Sequence, residues 1–283
     1  MAGWSGVGRL SAPVVLAVLV ASGSLVSGRS ASATAAASAA GEHCYRWTRT
    51  LQSGASGIGV ARLQVRVAGW APYHGYVAVD GAFGPATRAA VARFQAGNGL
   101  PATGAAGFGT YGKLYALSDA DCTPAHFAWS ELDDSSVCGG GFDGGRLSSI
   151  AVRTNLLRLM WKLEALRHKL HDAPLVVTSG FRSLRCNQRV GGARNSQHLY
   201  GTAADVRSPR ASLCAIARAA RSAGFSGILG PGVEGHGGHV HLDSRAENHH
   251  DGMADAFYWS APSCGMTASR AATAAAAAAA TDV

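Results

Sequence analysis

The run Ser196-Gln197-His198-Leu199-Tyr200-Gly201-Thr202-Ala203-Ala204-Asp205, and the later His239-Val240-His241, hold the residue types from which a metal site is built. A catalytic zinc site takes three protein ligands, nitrogen or carboxylate oxygen, and keeps one position open for water. Gly201 permits a tight turn between His198 and Asp205, so two adjoining segments can converge on one ion. Side chains alternate along a strand, which sets His239 and His241 on one face and Val240 and Leu242 on the other. A third ligand therefore has a source in that pair. A lone histidine is more often a surface or core residue than a ligand; the glycine turn and the in-strand pair together argue for a divided metal site.

These residues need strands and a supporting helix. Leu175-Val176-Val177-Thr178 reads as a buried strand leading into Gly180-Phe181-Arg182, Thr202 to Val206 as a second, and His239 to Leu242 as a third. Ala211 to Ala223 reads as a helix stopped by Gly224. Upstream, Ile150, Leu156, Leu157, Met160, Leu163, Leu166 and Leu170 recur at helical spacing and predict one broad apolar face. Ser148 or Ser149 can cap that helix, and Pro174 follows its end. Helices and short strands alternate without a long regular βα repeat, so the class is α+β.

A smaller unit precedes this one. Val60, Leu63 and Val67 share a helical face, as do Thr87, Val91 and Phe94. Asp80-Gly81 signals a turn, Pro85 suits the first turn of a helix, and Gly99 marks a stop. The result is a small helical module. Residues 118–145, with Asp-rich turns and Cys138-Gly139-Gly140-Gly141, have the composition of a linker.

Lys+Arg 25 against Asp+Glu 17 gives a net charge of +8, which suits an anionic surface such as a bacterial wall. No run of clustered Lys and Arg with interleaved aromatics points to nucleic acid. Arg9 followed by the apolar stretch Val14 to Val20 and small residues to Ala40 predicts a secretory signal peptide over 1–40. Its apolar core falls short of the roughly 20 residues that span a bilayer, and no other segment is a candidate span. All six cysteines follow this leader, and their number and setting predict three disulfides without fixing the pairs. From Ala268 onward the Ala-rich composition predicts a frayed tail.

Two resemblances sharpen these readings. Leu63-Gln64, Val79-Asp80-Gly81 with Phe83-Gly84 and Thr87, Ala90-Val91 with Phe94-Gln95, and Gly99-Leu100 resemble the three-helix peptidoglycan-binding domain of wall hydrolases. A half-match recurs at Thr103-Gly104, Gly107 and Thr110. Ser196-x-His198-x-x-Gly201-x-Ala203-x-Asp205 with His239-x-His241 resembles the zinc D-alanyl-D-alanine carboxypeptidases and their relatives among phage endolysins and D,D-dipeptidases. Gly180-Phe181-Arg182-Ser183 and Trp259-Ser260-Ala261-Pro262-Ser263-Cys264-Gly265 extend the match.

The second resemblance implies an α+β peptidase fold of the Hedgehog/D-Ala-D-Ala peptidase type over 123–265, after a binding domain over 44–122 and before a tail over 266–283. It implies one Zn2+ held by His198, Asp205 and His241, with His239 a neighbour. Arg182 would hold the substrate carboxylate or polarise the scissile carbonyl, Ser196 and Tyr200 would contact substrate, and His236 would have an active-site role. The implied disulfides are Cys44 to Cys122, Cys138 to Cys186 and Cys214 to Cys264. The expected protein is a secreted monomer acting on peptidoglycan. In one respect the chain departs from the family: many relatives carry an acid three positions before the last histidine ligand, where Gly238 stands here. The proton work then falls to His236, helped by Glu234 or Asp243, or the domain is slow or specialised. An endopeptidase cut, or a wall-binding role with weak turnover, are the alternatives.

Overall fold

The computed structural model describes residues 44–133, 138–248 and 257–269. The leader expected over 1–40 and the tail beyond 269 lie outside the described residues. Helices α1 (Ile58–Val67), α2 (Pro85–Gly97) and α3 (Phe108–Ala116) make the N-terminal module. Val60, Leu63, Val67, Val91 and Phe94 fill its core, and Thr87 is buried beside them. Pro85 stands in the first turn of α2, where a missing N–H removes nothing from the helix.

Two glutamines bind this module together in the same way. Gln64 Nε2 donates to Asp80 Oδ1 (2.8 Å), the Ala82 carbonyl (3.0 Å) and Thr87 Oγ1 (3.0 Å), and its Oε1 accepts from the Gly81 N–H (2.9 Å). Gln95 Nε2 donates to the Ala105 carbonyl (2.8 Å) and Thr110 Oγ1 (2.9 Å), while its Oε1 accepts from the Gly104 N–H (2.9 Å). Gly81 and Gly104 both stand at φ 73°, the left-handed region that glycine enters without a Cβ clash. The half-match in the sequence is thus a structural repeat.

Helix α4 (Ser149–Lys169) follows, with Ser148 Oγ accepting from the Ala151 N–H. It differs from the single apolar face that the sequence predicts. Leu156, Leu159, Met160, Leu163 and Leu166 enter the core beneath the sheet, whereas Trp161 and Ala165 enter the core of the module. Leu157 packs on the module side, and Ile150 is 52 % exposed. A helix held between two cores needs two apolar faces. Contact there is backbone-close: a Cβ on Gly69 would lie 2.4 Å from Ala165 Cβ, and one on Gly224 2.4 Å from the Ala68 carbonyl oxygen. The two expected domains accordingly form one compact unit.

The remaining elements are β1 (Val176–Ser179), α5 (Leu184–Arg189), β2 (Ala203–Arg207), α6 (Leu213–Ala220), β3 (Gly227–Leu229), β4 (Val240–Asp243), β5 (Tyr258–Ala261) and β6 (Met266–Ser269). The sheet order is β1-β2-β4-β3-β5-β6; β3 and β5 run parallel and the other pairs antiparallel. Strand β1, which the sequence predicts to be buried, lies at the edge, with Val176 40 % exposed. Strand β6 occupies the first residues of the stretch expected as a tail, paired to β5. The three disulfides are Cys44–Cys122, Cys138–Cys186 and Cys214–Cys264, the pairing that the resemblance implies.

Candidate metal centre

Strand register sets the site. Asp205 of β2 lies across from His241 of β4 on one side and Ser179 of β1 on the other. Directly opposed residues share a face of the sheet. Their neighbours Ala204, Val206, Val240 and Leu242 are fully buried in the core, so alternation gives one face to packing and the other to chemistry.

His198 arrives from outside the sheet, on the 3-10 turn Gln197–Tyr200, which ends at Gly201 with φ 68°. A Cβ on Gly201 would sit 2.8 Å from the Val152 carbonyl oxygen, so both space and backbone conformation require glycine there. Gln197 is pinned in turn: its Oε1 accepts from Thr202 Oγ1 (2.8 Å) and Asn248 Nδ2 (3.0 Å).

The three side chains meet closely. His241 Nδ1 is 2.9 Å from Asp205 Oδ1, His198 Nε2 is 3.1 Å from His241 Nδ1, and His198 Nε2 is 3.3 Å from Asp205 Oδ1. Ligands bound to a tetrahedral zinc at about 2.0–2.1 Å stand roughly 3.3 Å apart. The triangle already has nearly that size.

Tautomers are set from behind. A carbonyl can only accept, so His198 Nδ1 donates to Gly180 O (2.5 Å) and its Nε2 lone pair faces the site. His241 Nε2 donates to Asp243 Oδ2 (3.0 Å), which turns Nδ1 inward. Each imidazole thus has an outer partner of the kind that metal-bound histidines use. Three buried acceptor atoms aimed at one point call for a cation. His198, Asp205 and His241 are the candidate metal group among the described residues.

The electrostatics agree. Burial would raise the Asp205 carboxyl, but the hydrogen bond and charge of His241 hold it below the usual carboxylate range. Burial, joined by the charges of His241 and Arg182, lowers His198 against the pull of Asp205, which favours the neutral ring. For His241 burial is outweighed by hydrogen bonds to Asp205 and Asp243, and it rises to about 9.

Arg182 lies beside this triangle. Its Nη2 donates to Asp205 Oδ2 (2.8 Å) and its Nε to Ser179 Oγ (2.9 Å). The glycine before its strand exit is also required, since a Cβ on Gly180 would meet Leu132 O at 2.4 Å. His239, just ahead of β4, brings Nε2 to 3.6 Å from Asp205 Oδ1. His236 Nδ1 donates to the Glu234 carbonyl (2.7 Å), leaving Nε2 as its basic atom; its ring centre is 5.1 Å from His239 and 6.0 Å from His241. A Cβ on Gly238 would meet nothing within 4 Å, so space does not forbid the missing acid.

Two expected substrate contacts look different in three dimensions. Tyr200 is buried with its hydroxyl donating to Asn195 Oδ1 (2.6 Å), a bond that steadies the loop before the turn. Ser196 is half-buried at the start of the 3-10 turn, which its side chain does not cap. Asp243, considered as a helper in proton transfer, has both oxygens engaged by His241 and Arg245. Its actual place behind His241 was open to sequence reasoning, because residues two apart on a strand share a face. The Gly180 carbonyl behind His198 carried no such signal.

Comparison with known proteins joins the two halves. Residues 56–114 match a family model for a peptidoglycan binding domain, and residues 125–243 match the model for Peptidase M15. The zinc D-Ala-D-Ala carboxypeptidase of Streptomyces albus G is 48% identical over 237 residues, covering 83% of this chain and 88% of that relative. At that identity over that length, with a His-Asp-His triangle of zinc dimensions, this chain belongs to the M15 family of peptidases.

Proposed function

We propose that this protein is a secreted zinc carboxypeptidase that removes the terminal D-alanine from peptidoglycan stem peptides, held on its polymer by the N-terminal module. The observation that carries the reading is the buried triangle of His198, Asp205 and His241 in a chain 48% identical to a zinc D-Ala-D-Ala carboxypeptidase. Zinc, when bound, supplies a Lewis acid and brings the ionisation of water toward neutral pH.

The chain's own residues do the rest. Asp205 offsets the charge of the ion with one oxygen and fixes Arg182 with the other. Arg182, a permanent cation with a planar fork, pairs with the substrate's terminal carboxylate or with negative charge developing on the scissile carbonyl. His236 Nε2, its tautomer set by the Glu234 carbonyl, accepts a proton from water and returns it to the leaving amine. Ser196, at the start of the turn, contacts substrate, and Tyr200 supports that loop through Asn195. Three disulfides suit an oxidising compartment, and no helix among the described residues is long and apolar enough to cross a membrane. The protein works as a monomer outside the cell.

The test is D-alanine release from a synthetic acyl-D-Ala-D-Ala peptide with and without chelator. Release abolished by chelator and restored by zinc is the expected result. Cleavage confined to intact wall would replace the exopeptidase with an endopeptidase. No cleavage of either substrate by the zinc-loaded chain would leave a wall-binding protein.

A further inference from the structure

We infer that Arg245 is a positioning residue for zinc: it clamps the Asp243 carboxylate in the orientation that accepts the hydrogen bond from His241 Nε2–H and leaves Nδ1 aimed at His198 and Asp205. The inference rests on those three residues being the ligands.

Both oxygens of Asp243 are committed. Oδ1 accepts from the Arg245 backbone N–H (2.9 Å) and from Arg245 Nε (3.0 Å); Oδ2 accepts from Arg245 Nη2 (2.6 Å) and from His241 Nε2 (3.0 Å). A carboxylate with no exposed surface, gripped by a guanidinium on one edge, has no freedom to turn away from the imidazole. Space closes around it as well. A Cβ on Gly227, the residue paired with Asp243 across β3 and β4, would lie 2.1–2.2 Å from the carboxyl atoms. Only glycine leaves room for the clamp.

Arg245 is itself anchored. It opens the 3-10 turn Arg245–Glu247. The next N–H, of Ala246, donates to Ser226 Oγ (2.9 Å). At the far end of the turn Glu247 pairs with Arg158 and Lys162 of α4, and Lys162 Nζ also donates to Gly224 O and Ser244 Oγ, each at 2.8 Å. The path from the buried helix to the ligand is therefore continuous: Lys162, Glu247, the turn, Arg245, Asp243, His241. A guanidinium that merely neutralised a buried acid would stabilise the fold and leave metal affinity alone. Outer partners of ligand histidines change affinity by about 10–100-fold when removed.

The experiment compares the full chain with Arg245→Gln, Arg245→Lys and Asp243→Asn. Zinc dissociation constants are measured by competition with a chromophoric chelator, and visible spectra are recorded for the cobalt-substituted proteins. The expected result is zinc weakened about 10–100-fold in Arg245→Gln, with shifted cobalt bands and partial recovery in Arg245→Lys. A folded Arg245→Gln chain that keeps the parent affinity and the parent cobalt spectrum overturns the inference. Where Arg245→Gln does not fold, the isosteric Asp243→Asn decides on the same two readouts. A parent chain that retains no zinc refutes the ligand set itself, which keeps the two failures apart.

Discussion

The glutamine clasps of the module and the His-Asp-His triangle of the peptidase domain are both knots of buried polar groups, and they are built on opposite rules. Around Gln64 and Gln95 donors meet acceptors: side-chain amide to carbonyl, hydroxyl or the Asp80 carboxylate, backbone N–H to side-chain oxygen. Each amide finds both donors and acceptors within the module, so the clasp is structure and needs no ligand. At the triangle the N–H groups are drawn outward, by Gly180 O and Asp243 Oδ2, and three acceptors are left facing one another. The contrast separates a staple from a site: a polar cluster that closes on itself specifies a fold, and one that turns its lone pairs inward awaits a cation.

The largest test breaks the second cluster. His198→Ala removes one of the three candidate ligands, and strands β2 and β4, which carry the other two, do not depend on it. Zinc stoichiometry should fall from one to near zero, with activity at background and the far-UV spectrum unchanged. A His198→Ala chain that retains a full equivalent of zinc would show that the triangle is, like the clasps, only structure. A smaller test breaks the first cluster. Gln95→Leu leaves the Gly104 N–H and Thr110 Oγ1 without their partner, at a cost of about 1–3 kcal/mol. For a chain of this size each kcal/mol lowers the melting temperature by about 2–4 °C. Zinc affinity should not change; a drop in affinity would mean that the module's clasp reaches the metal through α4.

Much of this was legible in the sequence because periodicity and glycine carry local information. The capped helix at Ser148, the strands around Asp205 and His241, and the turn at Gly201 follow from alternation, helical spacing and backbone freedom. Arg182, at the strand exit, came from resemblance. What was not legible depends on partners distant in the chain. Helix α4 has two apolar faces because Trp161 serves another core, and no single-helix pattern announces that. Strands β3 and β5 are three and four residues long, too short to show a period, so the sheet's far half and the edge position of β1 went unread. The need for glycine at 227 shows only once Asp243 is placed against it.

The smallest predicted effect, a shift with pH, sharpens the comparison by asking which cluster titrates. His241 in the metal-free chain rises to about 9, above its unfolded value of about 6.5. A group raised on folding gives stability that is complete below the unfolded value and is lost as pH climbs through the folded one. The metal-free chain should therefore lose His241's contribution between about pH 6.5 and 9. Zinc needs the same ring neutral, so its affinity should rise over that interval. Lys169, at the far end of α4, is held down to about 8 by burial and by Arg93, and titrates nearby in pH with the opposite sign: its contribution improves as pH rises. Because Lys169 is the same with and without zinc, the difference between the two melting temperatures cancels it. That increment should be larger at pH 9 than at pH 6.5, whereas the loss caused by Gln95→Leu should be equal at both, since the amide, hydroxyls, carbonyl and N–H of that clasp do not titrate there. A zinc increment independent of pH would mean that no proton occupies the place of the metal, and the inward-facing acceptors would need another explanation.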